Sequence, residues 1–207
     1  MPKPRPAGEH YFSAEPTVAS RRRTVHLSLL DVDIDLVTDR GVFAGGAVDA
    51  GTKLLLATAP PPPSGGGNVV DLGCGYGPIA VVSALRAPEA TVWAVDVNAR
   101  SLALTAENAL RAGCGARVRA VLPGQVPPEV RFSALYANPP IRIGKALLHD
   151  LLATWLARLE PGRGRAWLVV HKHLGSDSLA RWLGEQGYGV IRLVSRMGYR
   201  VLEVSPG

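Results

Sequence analysis

Val69-Val70-Asp71-Leu72-Gly73-Cys74-Gly75-Tyr76-Gly77-Pro78 is the stretch on which the fold turns. Two valines lead into an acid, three glycines follow at alternate positions, and a proline comes next. Read locally, Val69-Val70 opens a short strand that ends at Asp71. Pro78 sits in the first turn of a helix, where its missing N–H costs nothing. A strand that passes through a glycine loop into a helix marks the carboxyl edge of a parallel sheet, where such folds open a ligand crevice. Glycines there let a ligand approach the backbone without meeting a Cβ.

Strand and helix signals alternate onward from this loop. Thr91 to Val95 reads as a second strand, and Asn98 caps a helix that is expected to bury Leu102, Ala106, Ala109 and Leu110 and to stop at Gly113. A third strand is expected over about Ala116 to Leu122 and a fourth over about Phe132 to Ala137. The strongest helical stripe follows, with Leu147, Leu148, Leu151, Leu152, Trp155, Leu156 and Leu159, and Glu160-Pro161-Gly162 ends it. Arg165 to Val170 reads as a fifth strand, Ser178 to Gln186 as a helix. Two last strands, about Val190 to Ser195 and Tyr199 to Val204, join through a tight turn at Met197-Gly198. Upstream, apolar residues alternate as Val25, Leu27, Leu29 and then as Leu30, Val32, Ile34, Leu36, and the slip in phase implies a bulge or turn between two short strands. A loop from Gly41 to Gly51, a helix from about Thr52 to Ala59 and a Pro/Gly/Ser connector from Pro60 to Gly67 complete the pass. The expected fold is α/β: a Rossmann-like, doubly wound, seven-stranded, mostly parallel sheet with an antiparallel C-terminal hairpin strand. Residues 1–9 read as a loose tail, and 10–207 as one domain with a short N-terminal β extension at about 20–60.

The chain of 207 residues is 47% hydrophobic, enough for a full core and too apolar for a disordered segment. No apolar run approaches a membrane span. The first residues, rich in Pro and charge, have no apolar stretch of a secretory signal, and the two cysteines, Cys74 and Cys114, suit a reducing compartment. A cytoplasmic location is expected. The formal net charge of +6 favours a polyanionic partner, to the extent that the basic residues flank a site.

The spacing of the glycine loop discriminates between cofactors. A dinucleotide fingerprint wants Gly-x-Gly-x-x-Gly, and its third glycine would fall on Pro78. An acid-led loop suits a ligand with a cationic amino group, which S-adenosylmethionine carries in its methionine moiety. Asp96 ends the second strand, 25 residues beyond Asp71, where a carboxylate can accept hydrogen bonds from both hydroxyls of a ribose. Asp71, Gly73, Cys74, Gly75, Asp96 and Val97 are therefore the expected cofactor positions.

A second motif, Tyr136-Ala137-Asn138-Pro139-Pro140-Ile141, stands at the end of the fourth strand on the same sheet edge. The Asn138 side-chain carbonyl and the Pro139 backbone carbonyl can accept both hydrogens of one amino group and turn its lone pair towards an electrophilic methyl. Such catalysis is mainly alignment and desolvation. Pro140 stiffens the loop by fixing φ.

With both motifs in view, the chain resembles the RNA guanine-N2 methyltransferases related to the small-subunit ribosomal RNA enzymes, within the class I methyltransferases. The resemblance runs over about residues 10–204. It rests on His10-Tyr11-Phe12-Ser13, Gly41-Val42-Phe43, Asp49-Ala50-Gly51-Thr52, the Asp71 glycine loop, Asn138-Pro139-Pro140 and Gly198-Tyr199-Arg200. It implies S-adenosylmethionine bound at Asp71, Gly73, Gly75 and Asp96, with Phe43 and Asp49 beside that pocket. It further implies catalysis at Asn138, Pro139 and Pro140, and RNA as partner, ribosomal RNA or the small subunit in particular. Ile141 stands where many relatives carry a base-stacking aromatic, and no carboxylate occurs around Gln125, where many methyltransferases hold the adenine amino group. Two alternatives stay open: an N-methyltransferase acting on protein glutamine or a small amine, and a non-catalytic RNA-binding module.

Ile141, Arg142 and Lys145 are the expected substrate contacts, the two cations reaching phosphates beside the target. Arg21-Arg22-Arg23 with Lys3 and Arg5 offers an RNA-contacting arm, or a solvated charge run. His149, His171 and His173 lack zinc-ligand spacing, so no metal is expected. Trp155, Trp167 and Trp182 fit core faces, and Tyr11 and Phe12 are candidates to cover the pocket.

Overall fold

The computed structural model of the chain describes residues 18–44, 46–140 and 143–207. The tail expected at 1–9, Lys3, Arg5, the His10–Ser13 motif with Tyr11 and Phe12, and the contact residues Ile141 and Arg142 lie outside the described residues.

The N-terminal alternation forms β1 (Arg23–Ser28) and β2 (Asp33–Thr38), an antiparallel pair standing as its own two-stranded sheet. The phase slip is its turn, in which the Leu29 N–H donates to the Val32 carbonyl at 2.8 Å. Leu30, assigned to the apolar side by the alternation, is fully exposed at that turn. Helix α1 (Ala50–Thr58) starts earlier than the expected Thr52, because the Asp49 side chain caps it by accepting from the Thr52 N–H.

The alternating part of the chain gives β3 (Asn68–Leu72), α2 (Pro78–Arg86), β4 (Thr91–Val95), α3 (Ala99–Arg111), β5 (Val118–Val121) and β6 (Ala134–Ala137). It continues with α4 (Lys145–Leu156), β7 (Arg165–His171), α5 (Ser176–Glu185), β8 (Gly189–Arg196) and β9 (Tyr199–Ser205). Local signals explain several boundaries. Pro78 occupies the first position of α2, and Asn98 caps α3 by accepting from the Arg100 and Ser101 N–H groups. Met197 and Gly198, at φ 50 and 80, make the two-residue turn between β8 and β9.

These strands form one seven-stranded sheet in the order β5-β4-β3-β6-β7-β9-β8. The five strands β3 to β7 run parallel to one another, and β9 lies antiparallel between β7 and β8. The final strand is thus interior and the edge belongs to β8, a refinement of the expected antiparallel edge. One face of the sheet packs with α1, α2, α3 and the β1–β2 pair through Leu36, Leu55, Val81, Val92 and Val169. The other packs with α4 and α5 through Leu72, Leu135, Leu152, Trp155, Leu168 and Leu183. Helices on both faces make the fold doubly wound. The strand order reverses between β3 and β6, which is the switch point where such sheets bind ligands.

Helix α3 departs from the expected stripe. Leu110 is 74% exposed and Ala106 also faces solvent, while Ser101, Leu104, Thr105, Asn108 and Ala109 are buried. The helix is rotated because its buried face has polar work to do. Asn108 accepts from the Val37 N–H at 2.7 Å and donates to the Val37 and Tyr76 carbonyls, each at 2.8 Å. One amide side chain thereby ties β2 to the glycine loop. Leucines could not satisfy those backbone groups, and a buried unpaired one costs about 1–3 kcal/mol. In α4, likewise, Leu148, Leu152, Trp155 and Leu156 are buried, but Leu147 of the expected stripe is exposed.

Asn108→Ala is therefore expected to destabilise the protein by about 2–4 kcal/mol, roughly 5–15 °C in thermal midpoint, read by circular dichroism. An unchanged midpoint would show that the tie between β2 and the loop carries no stability.

Candidate active site

The register of the sheet builds the site. Leu72 of β3 pairs with Ala137 of β6 and with Val95 of β4, so Gly73, Asn138 and Asp96 leave the same edge side by side. One crevice at that edge is lined by Phe43, Asp49, Thr52, Gly73, Gly75 and Asn138, together with Tyr76 and Ile79. The two motifs, far apart in the chain, meet there.

Gly73, Gly75 and Gly77 all have positive φ, 78, 57 and 89. A Cβ on Gly75 would meet nothing within 4 Å, and one on Gly73 only Pro140 Cδ at 4.0 Å, so both residues leave open space where a side chain would stand. Gly77 is different: a Cβ there would lie 2.8 Å from Thr105 Oγ1, so this glycine exists for its packing against α3. The Cys74 thiol is buried and directed to Thr105 Oγ1 at 3.5 Å, and its burial pushes its pKa up.

Asp71 is buried beneath the loop. One carboxylate oxygen, Oδ2, accepts from the Ala80 N–H at 2.9 Å and so caps α2, while Oδ1 is buried with no partner among the described residues. Desolvation pushes the Asp71 pKa up to about 8, against the Ala80 hydrogen bond, which lowers it, and with the nearby Asp96 charge, which raises it. Asp96 accepts from the Gly75 N–H and from the Asn98 N–H, both at 2.9 Å. Its pKa too is raised by burial, against those backbone hydrogen bonds. A carboxylate has about four acceptor sites, so Asp96 keeps acceptor capacity beyond these backbone bonds. Val97 beside it is 42% exposed.

At the other wall, the Asn138 amide nitrogen donates to Asp49 Oδ2 at 2.9 Å and to Thr52 Oγ1 at 3.0 Å. Among the described residues nothing donates to the Asn138 side-chain oxygen. Pro139 is buried, and Pro140 packs towards Gly73. Phe43 stands half exposed at the mouth.

Several expected residues stand apart. Lys145 is exposed as the first residue of α4 and is not among the residues that line the crevice. Gln125 folds back on its own turn, its side chain accepting from the Leu122 N–H at 2.8 Å. Arg22 pairs with Glu107 of α3. Trp155 and Trp167 are core residues, whereas Trp182 is half-buried and stacks on His149 with ring centroids 3.8 Å apart. Sequence reasoning missed the buried Tyr76 hydroxyl, which has no partner among the described residues, and the Thr105–Asn108 face of α3. It also assigned Asp49 to the cofactor pocket without the link to Asn138. An acid ahead of an apolar helix is an N-cap signal, and it would have placed Asp49 at the start of α1.

The comparisons agree with this architecture. The family model of the methyltransferase small domain matches residues 33–203. The uncharacterized protein YbxB of Bacillus subtilis (strain 168) is 32% identical over 197 residues, 94% of this chain and 97% of that one. Ribosomal RNA small subunit methyltransferase C of Shewanella amazonensis is 35% identical over 165 residues, 77% of this chain but 47% of the relative, so the chain spans about half that enzyme's length. Among solved structures, the T. thermophilus 16S rRNA N2 G1207 methyltransferase (RsmC), in complex with AdoMet and guanosine, superposes with a TM-score of 0.72 at 24% identity. That match covers 93% of this chain and 52% of the other, and at such identity it speaks for the fold. With strand order, glycine loop, crevice and matched span in agreement, the chain belongs to the methyltransferase small domain family.

Proposed function

We propose that the chain is an S-adenosylmethionine-dependent methyltransferase acting on the exocyclic amino group of a nucleobase, guanine N2 of ribosomal RNA in particular. The observation that carries this reading is the shared crevice: the open glycine edge at Gly73 and Gly75 faces the Asn138 clamp across one hollow. The relatives named as ribosomal RNA methyltransferases, the neighbour solved with AdoMet and guanosine, and the net charge of +6 support the substrate class.

The residues fit the cofactor. Gly73 and Gly75 leave the space of two missing side chains, and Asp71 Oδ1 is buried with no partner among the described residues, a position that an ammonium, by favouring the ionised carboxylate, would fill. Asp96 has acceptor capacity left for ribose hydroxyls, with Val97 exposed beside it for packing on a purine. When bound, S-adenosylmethionine supplies a methyl carbon made electrophilic by its sulfonium, whose sulfur leaves as a neutral thioether. Asn138 Oδ1 and the Pro139 carbonyl would each accept a hydrogen bond from the target amino group and so aim its lone pair. The same two acceptors would stabilise the positive charge that methyl transfer puts on the target nitrogen, and the surplus proton would leave to solvent. Lys145, exposed at the start of α4 a few residues beyond Pro140, would serve to attract phosphate beside the target.

Asn138→Ala is expected to lower methyl transfer to RNA by at least about 100-fold with S-adenosylmethionine affinity unchanged. Undiminished turnover would remove Asn138 from the reaction. Nucleoside mass spectrometry of RNA from cells with and without the gene identifies the base, and an N6-methyladenosine product would reassign it. Methyl transfer to protein alone would overturn the RNA reading.

Asp71 gives a second expectation. The folded protein holds its proton up to about pH 8, whereas the unfolded chain releases it in the ordinary carboxylate range. The stability of the ligand-free protein therefore falls as pH rises from about 4 towards 8. Asp71→Asn is expected to flatten that slope in thermal denaturation across pH 5 to 8. A slope unchanged by the substitution would show that Asp71 is ionised throughout.

A further inference from the structure

We infer that Asp49 is a positioning residue for methyl transfer: with Thr52, and held by Tyr199, it locks the Asn138 side-chain amide with its carbonyl oxygen free for the target amino group. The inference rests on the reading of Asn138 as the amino clamp, and it moves Asp49 from the cofactor side, where the family resemblance placed it, to the acceptor side.

A primary amide has two N–H donors and one carbonyl oxygen. Both donors of Asn138 have acceptors within the fold, Asp49 Oδ2 at 2.9 Å and Thr52 Oγ1 at 3.0 Å. The nitrogen end is therefore saturated, and only the oxygen is left for a ligand. In the reversed orientation the Asn138 oxygen would face a carboxylate oxygen, two acceptors in contact with no proton between them. The same reversal would present N–H donors to an incoming N–H donor. Asp49 thus excludes the one rotamer that would repel the substrate. Hydrogen bonding to a carboxylate also polarises the amide and leaves more negative charge on its oxygen.

Asp49 is itself held on several sides. Its Oδ2 accepts from the Thr52 N–H at 3.0 Å as the cap of α1, and its Oδ1 lies 3.4 Å from the Tyr199 hydroxyl. Burial, and then the charge of Asp49, push the Tyr199 pKa up, so the phenol stays a donor. The Tyr199 ring is seated against the first turn of α1. A Cβ on Gly51 would lie 2.7 and 2.8 Å from two of its ring carbons, a space only glycine leaves. On its other side the ring meets His171 edge to face, with centroids 5.0 Å apart. The segments Asp49-Ala50-Gly51-Thr52 and Gly198-Tyr199-Arg200 thus meet in one contact that ends on Asn138.

The test uses the full chain with S-adenosylmethionine and RNA as acceptor, comparing Asp49→Ala, Asp49→Asn, Asn138→Ala and the double Asp49→Ala/Asn138→Ala protein. Asp49→Ala is expected to lower kcat about 100-fold, with the affinity for S-adenosylmethionine within about twofold of the parent. Asp49→Asn, which keeps a cap and an acceptor oxygen, is expected to recover most of that loss. In the double variant the Asp49 substitution is expected to cost nothing beyond Asn138→Ala, because both act through one group. The 15N-labelled protein supplies a readout independent of activity: the Asn138 side-chain NH2 signals, assigned by their loss in Asn138→Ala, should move in Asp49→Ala. A kcat retained in Asp49→Ala, a loss of cofactor affinity matching the loss of rate, multiplying effects in the double variant, or unmoved Asn138 signals would each overturn the inference. A parent protein that methylates no RNA would instead overturn the proposed function, and the NMR comparison would still decide the role of Asp49.

Discussion

The register between β3 and β6 is the constraint from which the rest of the site follows. Leu72 pairs with Ala137, so the chain leaves both strands at one level, once into a glycine loop and once into Asn-Pro-Pro. A slip of one residue would turn every side chain of β6 to the opposite face and bury or expose the wrong set. The register is protected on both faces of the sheet. Ala134 and Tyr136 pack on the side of α1 and α2, Leu135 and Ala137 on the side of α4. Tyr136 adds specificity by stacking on Trp167 at 5.0 Å and donating to the Pro60 carbonyl at 2.8 Å. Hydrophobic packing here sets chemical geometry directly, with no separate scaffold between core and site.

Above that register, backbone amides and acids divide the loop between them. Asp96 holds Gly75, Asp71 holds the start of α2, and Thr105 donates to the Gly75 carbonyl at 3.0 Å. The loop is therefore fixed by side chains from three elements while its glycines stay bare towards the crevice. Fixing the backbone from behind and leaving the front open is what a preorganised ligand cradle requires. The cost is two acids held close together with raised pKa values. None of the ion pairs among the described residues includes either.

What the sequence made legible was local. Pro78 at a helix start, Asn98 as a cap, the Thr91–Val95 strand and the Met197-Gly198 turn each carry their signal within a few residues, and each stands where expected. The convergence of Gly73 and Asn138 was legible as well, because both motifs end strands of one parallel sheet. Long-range polar contacts were not. The face that α3 buries depends on the Val37 and Tyr76 backbone groups that Asn108 satisfies, and periodicity cannot see partners 71 and 32 residues away. The link from Asp49 to Asn138 crosses 89 residues, and that from Asp49 to Tyr199 crosses 150. A hydropathy pattern places such residues on elements but is silent on which of them touch.

The interior position of β9 sets an order of assembly. Until Tyr199–Ser205 has been synthesised, β7 has an open flank and β8 has no strand to pair with. A nascent chain that already holds the glycine loop and Asn-Pro-Pro still lacks the ring that closes over Gly51. The crevice edge is therefore completed only when β9 joins the sheet, and translation that stalls before β9 leaves β7 and β8 without the strand between them.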